Sequence, residues 1–235
     1  MTQAPPPPAR PKFRVPVLIG AVVFAVVAAS VGWLTAGDDR GCTTEVPAVF
    51  SHLYRISSAT MEPTIRQGDW LWAERRAYCT RDPERGDLVV LALPAHPGTV
   101  FVKRVIGLPG DRVQLKQGEL YLNGEPVRHD WIESAIHSSE SGEASQSARF
   151  METLPNETRY AVDVADPEAP LENTEAITVP AGQYFVLGDN RDHSLDSRTA
   201  SEFGLVPRAS IADRPTLVLW SADKNRIGLR LGVRP

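Results

Sequence analysis

The stretch FVKRVIGLPGD, residues 101–111, places two cations inside an apolar run that ends in turn-forming residues. An apolar run of this length, closed by Gly and Pro, is typical of a β-strand. Because side chains alternate between the two faces of a strand, we expect one of Lys103 and Arg104 to face the interior. The alternative is an edge strand from which both cations reach solvent.

Other short apolar segments bounded by Gly, Pro or Asp lie on both sides of this stretch. No long helical periodicity follows residue 37, and six Ser among residues 133–149 predict a flexible surface segment. We therefore expect a mainly β fold. The predicted strands are 69–74, 87–93, 100–106, 113–115, 120–122, 184–187, 216–220 and 227–233, with a hairpin between the fourth and fifth.

The segment VPVLIGAVVFAVVAASVGWLTAG, residues 15–37, contains no charged residue. About 20 residues in a helix span a bilayer core, so we expect a transmembrane anchor here. Arg10, Lys12 and Arg14 precede it, and they predict a cytoplasmic amino terminus with everything after residue 38 outside. The alternative is a cleavable signal peptide, although an ordinary apolar region there has only 7–15 residues.

Composition excludes several classes of protein. The 235 residues are 42% hydrophobic, which is enough for a core, and the net charge of −4 argues against a nucleic-acid partner. Two Cys exclude a multi-thiolate metal site, and the five His are scattered without ligand spacing. No metal and no cofactor is expected, and His193 is notable only for its polar neighbours.

Three segments carry more polar groups than a plain β domain needs. They are the hydroxyl-rich stretch 56–64, the strand 101–111 with its two cations, and the loop 188–198. Each one alone is compatible with a turn, an edge strand or a salt-bridged loop. A Lys buried without a carboxylate partner loses its proton readily and can then activate a hydroxyl.

Together these segments resemble the type I signal peptidases, membrane-bound proteases that use a Ser–Lys dyad. The resemblance covers roughly residues 15–131 and 177–235, and its motifs come in the family's order. The four family motifs are Ser-x-Ser-Met-x-Pro-Thr, matched at 58–64 except at one position, Arg-Gly-Asp at 85–87, Lys-Arg-x-x-Gly-x-Pro-Gly-Asp at 103–111, and Gly-Asp-Asn-x-x-x-Ser-x-Asp-Ser-Arg at 188–198.

The resemblance implies a role for each matched residue. Lys103 would be the general base, Ser194 a hydroxyl that orients its amine, and Ser58 an oxyanion donor beside the N–H of residue 60. A supporting charge network would consist of Arg104, Asp189, Asp196 and Arg198. No cofactor is needed, and the implied substrates are signal peptides of exported pre-proteins, cut after small residues.

One position departs from the family pattern, because the nucleophilic Ser falls on Thr60. Thr hydroxyls do serve as nucleophiles, but the extra methyl restricts χ1 and crowds the site. The chain is predicted to be an active peptidase. The alternative is a catalytically impaired homologue that binds signal peptides without turnover, and attack by Ser57 or Ser58 would need another backbone geometry.

The resulting prediction is a single transmembrane helix followed by an extracytoplasmic antiparallel β-sheet or barrel-like catalytic domain with an inserted variable region. Trp70, Leu71 and Trp72 are expected to form an apolar surface that contacts membrane lipid. Whether Cys42 and Cys79 form a disulfide is left open. The predicted parts are a Pro-rich cytoplasmic tail (1–14), the anchor (15–37) and the catalytic domain (38–235), with the insert at 132–176.

Overall fold

The structure is a computed structural model, and it describes residues 53–74, 77–78, 81–138 and 144–232. All of these lie in one compact unit, Asp39–Pro235. The predicted tail, the predicted anchor and both cysteines lie outside the described residues. Within the described residues, no helix is both long and apolar enough to cross a membrane.

The described residues form three β-sheets in which every paired strand is antiparallel. Three short 3₁₀ helices accompany them, at Pro170–Glu172, Arg208–Ser210 and Lys224–Arg226. The mainly β, antiparallel fold is therefore confirmed. The strands are β1 (Leu53–Arg55), β2 (Trp70–Glu74), β3 (Leu88–Leu91), β4 (Phe101–Gly107), β5 (Arg112–Lys116), β6 (Glu119–Leu122), β7 (Glu125–Pro126), β8 (Arg128–Ser138), β9 (Ala144–Thr153), β10 (Arg159–Val164), β11 (Ile177–Thr178), β12 (Gln183–Leu187), β13 (Val206–Pro207) and β14 (Ile211–Trp220).

The largest sheet has seven strands in the order β1-β2-β14-β3-β4-β12-β13. The second has the order β11-β5-β6-β7, and the third has the order β10-β9-β8. In the largest sheet β4 lies between β3 and β12, so both of its edges are paired. The edge-strand alternative for β4 is thereby excluded.

Apolar layers cover both faces of β4. Val105 packs in a cluster with Val89 and Val186, while Ile106 packs in another cluster with Val113 and Phe185. Where a strand is covered on both faces, consecutive side chains are buried whichever way they point, and this holds for residues 103–107 of β4, whereas Phe101 and Val102 are half-buried. Lys103 and Arg104 are accordingly 1% and 2% exposed, so both cations are interior and not one alone.

Two sequence predictions about secondary structure are wrong. The Ser-rich segment 133–149 lies largely in the hairpin of β8 and β9, where the two strands pair with each other through their backbones and need no alternation of apolar residues. The segment 227–233 was predicted to be a strand, but it holds only an isolated bridge between Leu217 and Arg230. Gly228 has φ +85°, outside the extended region, and this interrupts any strand there.

Candidate active site

Lys103 lies at the centre of the site, on β4 and opposite Val89 of β3. Its amine donates a 2.9 Å hydrogen bond to Ser194 Oγ. Burial lowers the pKa of Lys103 to about 8; Asp196 and Asp189 act in the opposite direction, and Arg198 lowers it further. The amine is therefore close to the neutral form that a general base requires.

Ser194 is carried by a tightly constrained loop that begins at Gly188. A Cβ at position 188 would collide with the Ser194 hydroxyl and would lie 2.5 Å from the carbonyl oxygen of Thr60. That same carbonyl accepts a 3.2 Å hydrogen bond from the N–H of Asn190. The loop and the Thr60 segment therefore touch at a position that only glycine fits.

Thr60 lies on the turn between β1 and β2, with its hydroxyl 3.3 Å from Ser58 Oγ. Ser58 is exposed and Thr60 is half-buried, whereas the next residue, Met61, is 1% exposed and packs with Leu71. Burial of Met61 holds the backbone of the turn in place. Among the described residues, no hydrogen bond joins Thr60 Oγ1 to the Lys103 amine.

Arg104 points to the other face of β4 and pairs with Asp189. Its Nε and Nη2 donate to the two carboxylate oxygens at 2.8 and 2.7 Å, and its Nη1 donates to the Gly86 carbonyl at 3.0 Å. Although burial opposes the charged form, the Asp189 carboxylate raises the pKa of Arg104. The pair fixes the first residues of the Ser194 loop against β4.

Asp196 and Arg198 form a second buried pair within the same loop. Arg198 donates to Asp196 through Nε at 2.9 Å and Nη2 at 3.0 Å, and Asp196 also accepts a 3.0 Å bond from the N–H of Gly188. Burial opposes ionisation of Asp196, but Arg198 lowers the pKa of this carboxyl overall. The four supporting residues expected from the sequence therefore pair two by two.

Two buried carboxylates in this network were missed by the sequence reasoning. Glu172 pairs with Arg198, and Glu152 Oε2 accepts a 2.6 Å bond from Arg191 Nη2. Burial raises the pKa of Glu152, but Arg191 and other donors outweigh it and lower the pKa to about 2. Arg191, itself fully buried, also donates to the Gly188 carbonyl at 3.2 Å.

No sequence signal identifies these two carboxylates. Both Glu152 and Glu172 lie in the expected insert, 39 and 26 residues from their arginines. The polar neighbours of His193 prove uninformative, since its ring contacts only Asn190 in the described part of the chain. Within that same part, no cluster of His, Cys, Asp and Glu could hold a metal ion.

An apolar surface lies at one end of the largest sheet. Trp72 and Trp220 are 45% and 51% exposed, and Trp70 lines a shallow depression with Leu53 and Leu219. The sequence prediction placed Leu71 in this surface as well. That part is wrong, because Leu71 is fully buried on the opposite face, as strand alternation requires.

Comparisons with known proteins agree on one family. The family model described as "Signal peptidase, peptidase S26" matches residues 42–220. A signal peptidase I from Rickettsia bellii is 38% identical over 213 residues, which covers 77% of this chain and 72% of that protein. One from Pseudomonas aeruginosa is 32% identical over 188 residues, which covers 72% of this chain and 64% of that protein.

A solved signal peptidase I from Enterococcus faecalis is also similar to this chain. It is 33% identical, covers 56% of this chain and 94% of its own, and superimposes with a TM-score of 0.33.

Proposed function

The chain belongs to the signal peptidase family, peptidase S26, and we propose that it removes signal peptides from exported pre-proteins with Thr60 as its nucleophile. The observation that carries the proposal is the buried Lys103 amine, with a pKa of about 8, beside Ser194 and the Thr60 turn. A lysine in this state can accept a proton from a hydroxyl at neutral to mildly basic pH.

The first step is attack by Thr60 on the carbonyl carbon of the scissile peptide. A bond forms between Thr60 Oγ1 and that carbon, while the hydroxyl proton moves to the Lys103 amine. Lys103 then gives the proton to the leaving nitrogen, the C–N bond breaks, and the amino-terminal fragment remains as an ester on Thr60. Water then attacks the ester carbon while Lys103 takes one of its protons. The bond from that carbon to Thr60 Oγ1 breaks, the proton returns to Thr60 Oγ1, and the amino-terminal fragment leaves with a new carboxyl group.

Two hydroxyl groups assist this chemistry. Ser194, at 2.9 Å from the lysine, orients the amine toward the reacting hydroxyl. Ser58 Oγ, at 3.3 Å from Thr60 Oγ1, donates with the N–H of residue 60 to the oxyanion of each tetrahedral intermediate. Each half-reaction therefore uses the same base and the same oxyanion donors.

The protein is proposed to be held in the cytoplasmic membrane by one helix at residues 15–37, with residues 38–235 outside. The uncharged segment and the three basic residues before it support this arrangement. The exposed Trp72 and Trp220 suit contact with membrane lipid, because Trp is favoured at the membrane–water interface. Protease added to intact spheroplasts should digest residues 38–235. If these residues are digested only after lysis, the proposed orientation is wrong.

The function is tested by incubating purified full-length protein in detergent with a pre-protein and sequencing the products. We expect cleavage by the native protein after a small residue and none by Lys103→Ala. Lys116→Ala, which removes an exposed lysine on β5, is the matched control and should cleave normally. Equal cleavage by native protein and Lys103→Ala would reject the dyad. No cleavage by either, together with retained binding of a signal peptide, would identify a binding homologue.

A further inference from the structure

Four arginines line one cleft of about 250 Å³ that lies outside the candidate active site but includes sequence neighbours of its residues. One wall is formed by Pro63 and Thr64, three and four residues after Thr60. Arg104, the neighbour of Lys103, lies in another wall, and the start of β10 and the chain after β14 complete the cleft. We call it the arginine cleft; its arginines are Arg104, Arg159, Arg226 and Arg230.

The charge of the arginine cleft is only half compensated. Arg104 pairs with Asp189, and Arg226 pairs with Asp69 at 2.8 Å. Arg159 and Arg230 are exposed and have no ion pair among the described residues, and none of the described lining residues is acidic. The cleft therefore has two guanidinium groups without an ion pair next to two that are held in ion pairs. Such a cluster suits an oxyanion, since the planar guanidinium group matches the geometry of phosphate oxygens.

Two buried polar atoms in the lining point independently to a ligand. Thr158 and Arg226 are 6% and 8% exposed, and Thr158 Oγ1 and Arg226 Nε have no hydrogen-bond partner in the described part of the chain. A buried polar group left unpaired costs about 1–3 kcal/mol. Both groups are donors, and the oxygens of a bound phosphate supply acceptors.

Exposed apolar side chains lie next to the exposed arginines of the cleft. Leu229 belongs to the lining and is 43% exposed, and Ile227, two residues earlier, is 46% exposed. Both follow the exposed Trp220 of β14 along the chain. An inorganic ion would not use these side chains, but acyl chains or glycerol next to a phosphate would cover them.

We propose that the arginine cleft binds the phosphate group of an anionic membrane phospholipid. The lipid source rests on the proposed membrane function, whereas the phosphate chemistry does not. Thr64 and Arg104 belong to the segments that carry Thr60 and Lys103, so an occupied cleft stabilises both segments at once.

The test uses the full-length protein in neutral detergent and three probes: dihexanoylphosphatidylglycerol, dihexanoylphosphatidylcholine and inorganic phosphate. We expect saturable binding of phosphatidylglycerol, weaker binding of the other two, and at least a tenfold loss of affinity in Arg159→Gln/Arg230→Gln. Arg112→Gln/Arg128→Gln, which removes two exposed arginines outside the lining, is the matched control and should bind normally.

The outcomes are distinct. Binding of no probe, or binding that the Arg159→Gln/Arg230→Gln variant retains, overturns the proposal. Inorganic phosphate binding as tightly as phosphatidylglycerol, with loss in the double variant, overturns the lipid source and supports the phosphate chemistry. Binding is also measured on Thr60→Ala, where it should persist, so failure of the peptidase proposal leaves this result unaffected.

Discussion

The Lys103 amine and the Ser194 hydroxyl, 91 residues apart in the chain, are joined by a 2.9 Å hydrogen bond in the interior. The bond couples the central strand β4 to the loop after β12. Because burial lowers the pKa of this lysine to about 8, its protonation governs any reaction that needs the free amine.

We expect kcat/KM to rise with pH and to be half-maximal near pH 8. Below that pH the protonated amine cannot accept a proton, so the rate should fall about tenfold per pH unit. The measurement is kcat/KM for a signal-peptide substrate from pH 6 to 10 at constant ionic strength. If kcat/KM does not change between pH 6 and 9, protonation of Lys103 does not control the rate.

The position of this profile should respond to the Asp196–Arg198 pair in two opposite directions. Asp196 raises the pKa of Lys103 and Arg198 lowers it, so Asp196→Asn should move the half-maximal pH down and Arg198→Gln should move it up. Circular dichroism of each variant checks the fold. Arg128→Gln, an exposed arginine, is the control and should leave the profile in place; shifts in the same direction would contradict the electrostatic account.

Thr60→Ala should lower kcat by about 10³-fold or more, because it removes the attacking hydroxyl. Thr60→Ser should keep or raise the activity, since it removes the methyl that crowds the site. The readout is kcat for the same pre-protein, with mass spectrometry of any acyl-enzyme. Full activity in Thr60→Ala would show that another hydroxyl is the nucleophile. Ser58 is a candidate, because its Oγ lies 3.3 Å from Thr60 Oγ1.

Lys103→Met should stabilise the folded protein below pH 8 while abolishing cleavage. The pKa of Lys103 is 10.5 in an unfolded chain and about 8 when folded, so burial of the charge costs about 3 kcal/mol where both states are protonated. The folded state binds fewer protons between these pKa values, so native stability rises with pH across that window. In urea denaturation, the difference in the free energy of unfolding between Lys103→Met and the native protein should decrease from pH 8 to pH 10.5.

The same urea titrations on Lys116→Met supply the reference for Lys103→Met. This exposed lysine should show little change in stability and no pH-dependent gap. A Lys103→Met variant less stable than native at pH 7 would contradict the burial cost.

Glu152→Gln should destabilise the protein by about 3–5 kcal/mol, because it leaves the guanidinium of Arg191 buried without its counter-charge. Arg191 also supports the Gly188 carbonyl, so kcat should fall more than KM rises. Urea denaturation and steady-state kinetics measure the two effects. Glu119→Gln, at an exposed site on β6, is the control, and a Glu152→Gln variant as stable as this control would refute the argument.

The sequence predicted the parts of the fold that depend on local pattern. β3, β4 and β12 are short apolar runs closed by turn residues, and their existence follows from that pattern alone. β8 and β9 are Ser-rich where they pair with each other, and a local count of apolar residues does not detect this backbone pairing. Leu71 was misassigned because the chain alternates faces residue by residue.

The candidate site was proposed from motifs that are separate in the sequence. In the structure Lys103 bonds to Ser194, Ser58 lies beside Thr60, and Gly188 contacts both Ser194 and the Thr60 carbonyl. Glu152 was not predictable, because its partner Arg191 is reached only through folding of the β8–β10 sheet. Long-range ion pairs of this kind depend on tertiary packing and leave no spacing in the sequence.

The burial of Lys103 also bears on the order of events during synthesis. On the proposed mechanism the lysine is a base only when β12 and the loop from Gly188 to Arg198 enclose it, and both are translated after β4. A nascent or partly translocated chain therefore carries an ordinary, protonated surface lysine and has no proteolytic activity. On this mechanism, activity begins only after residues 183–198 have been translated and have folded against β4.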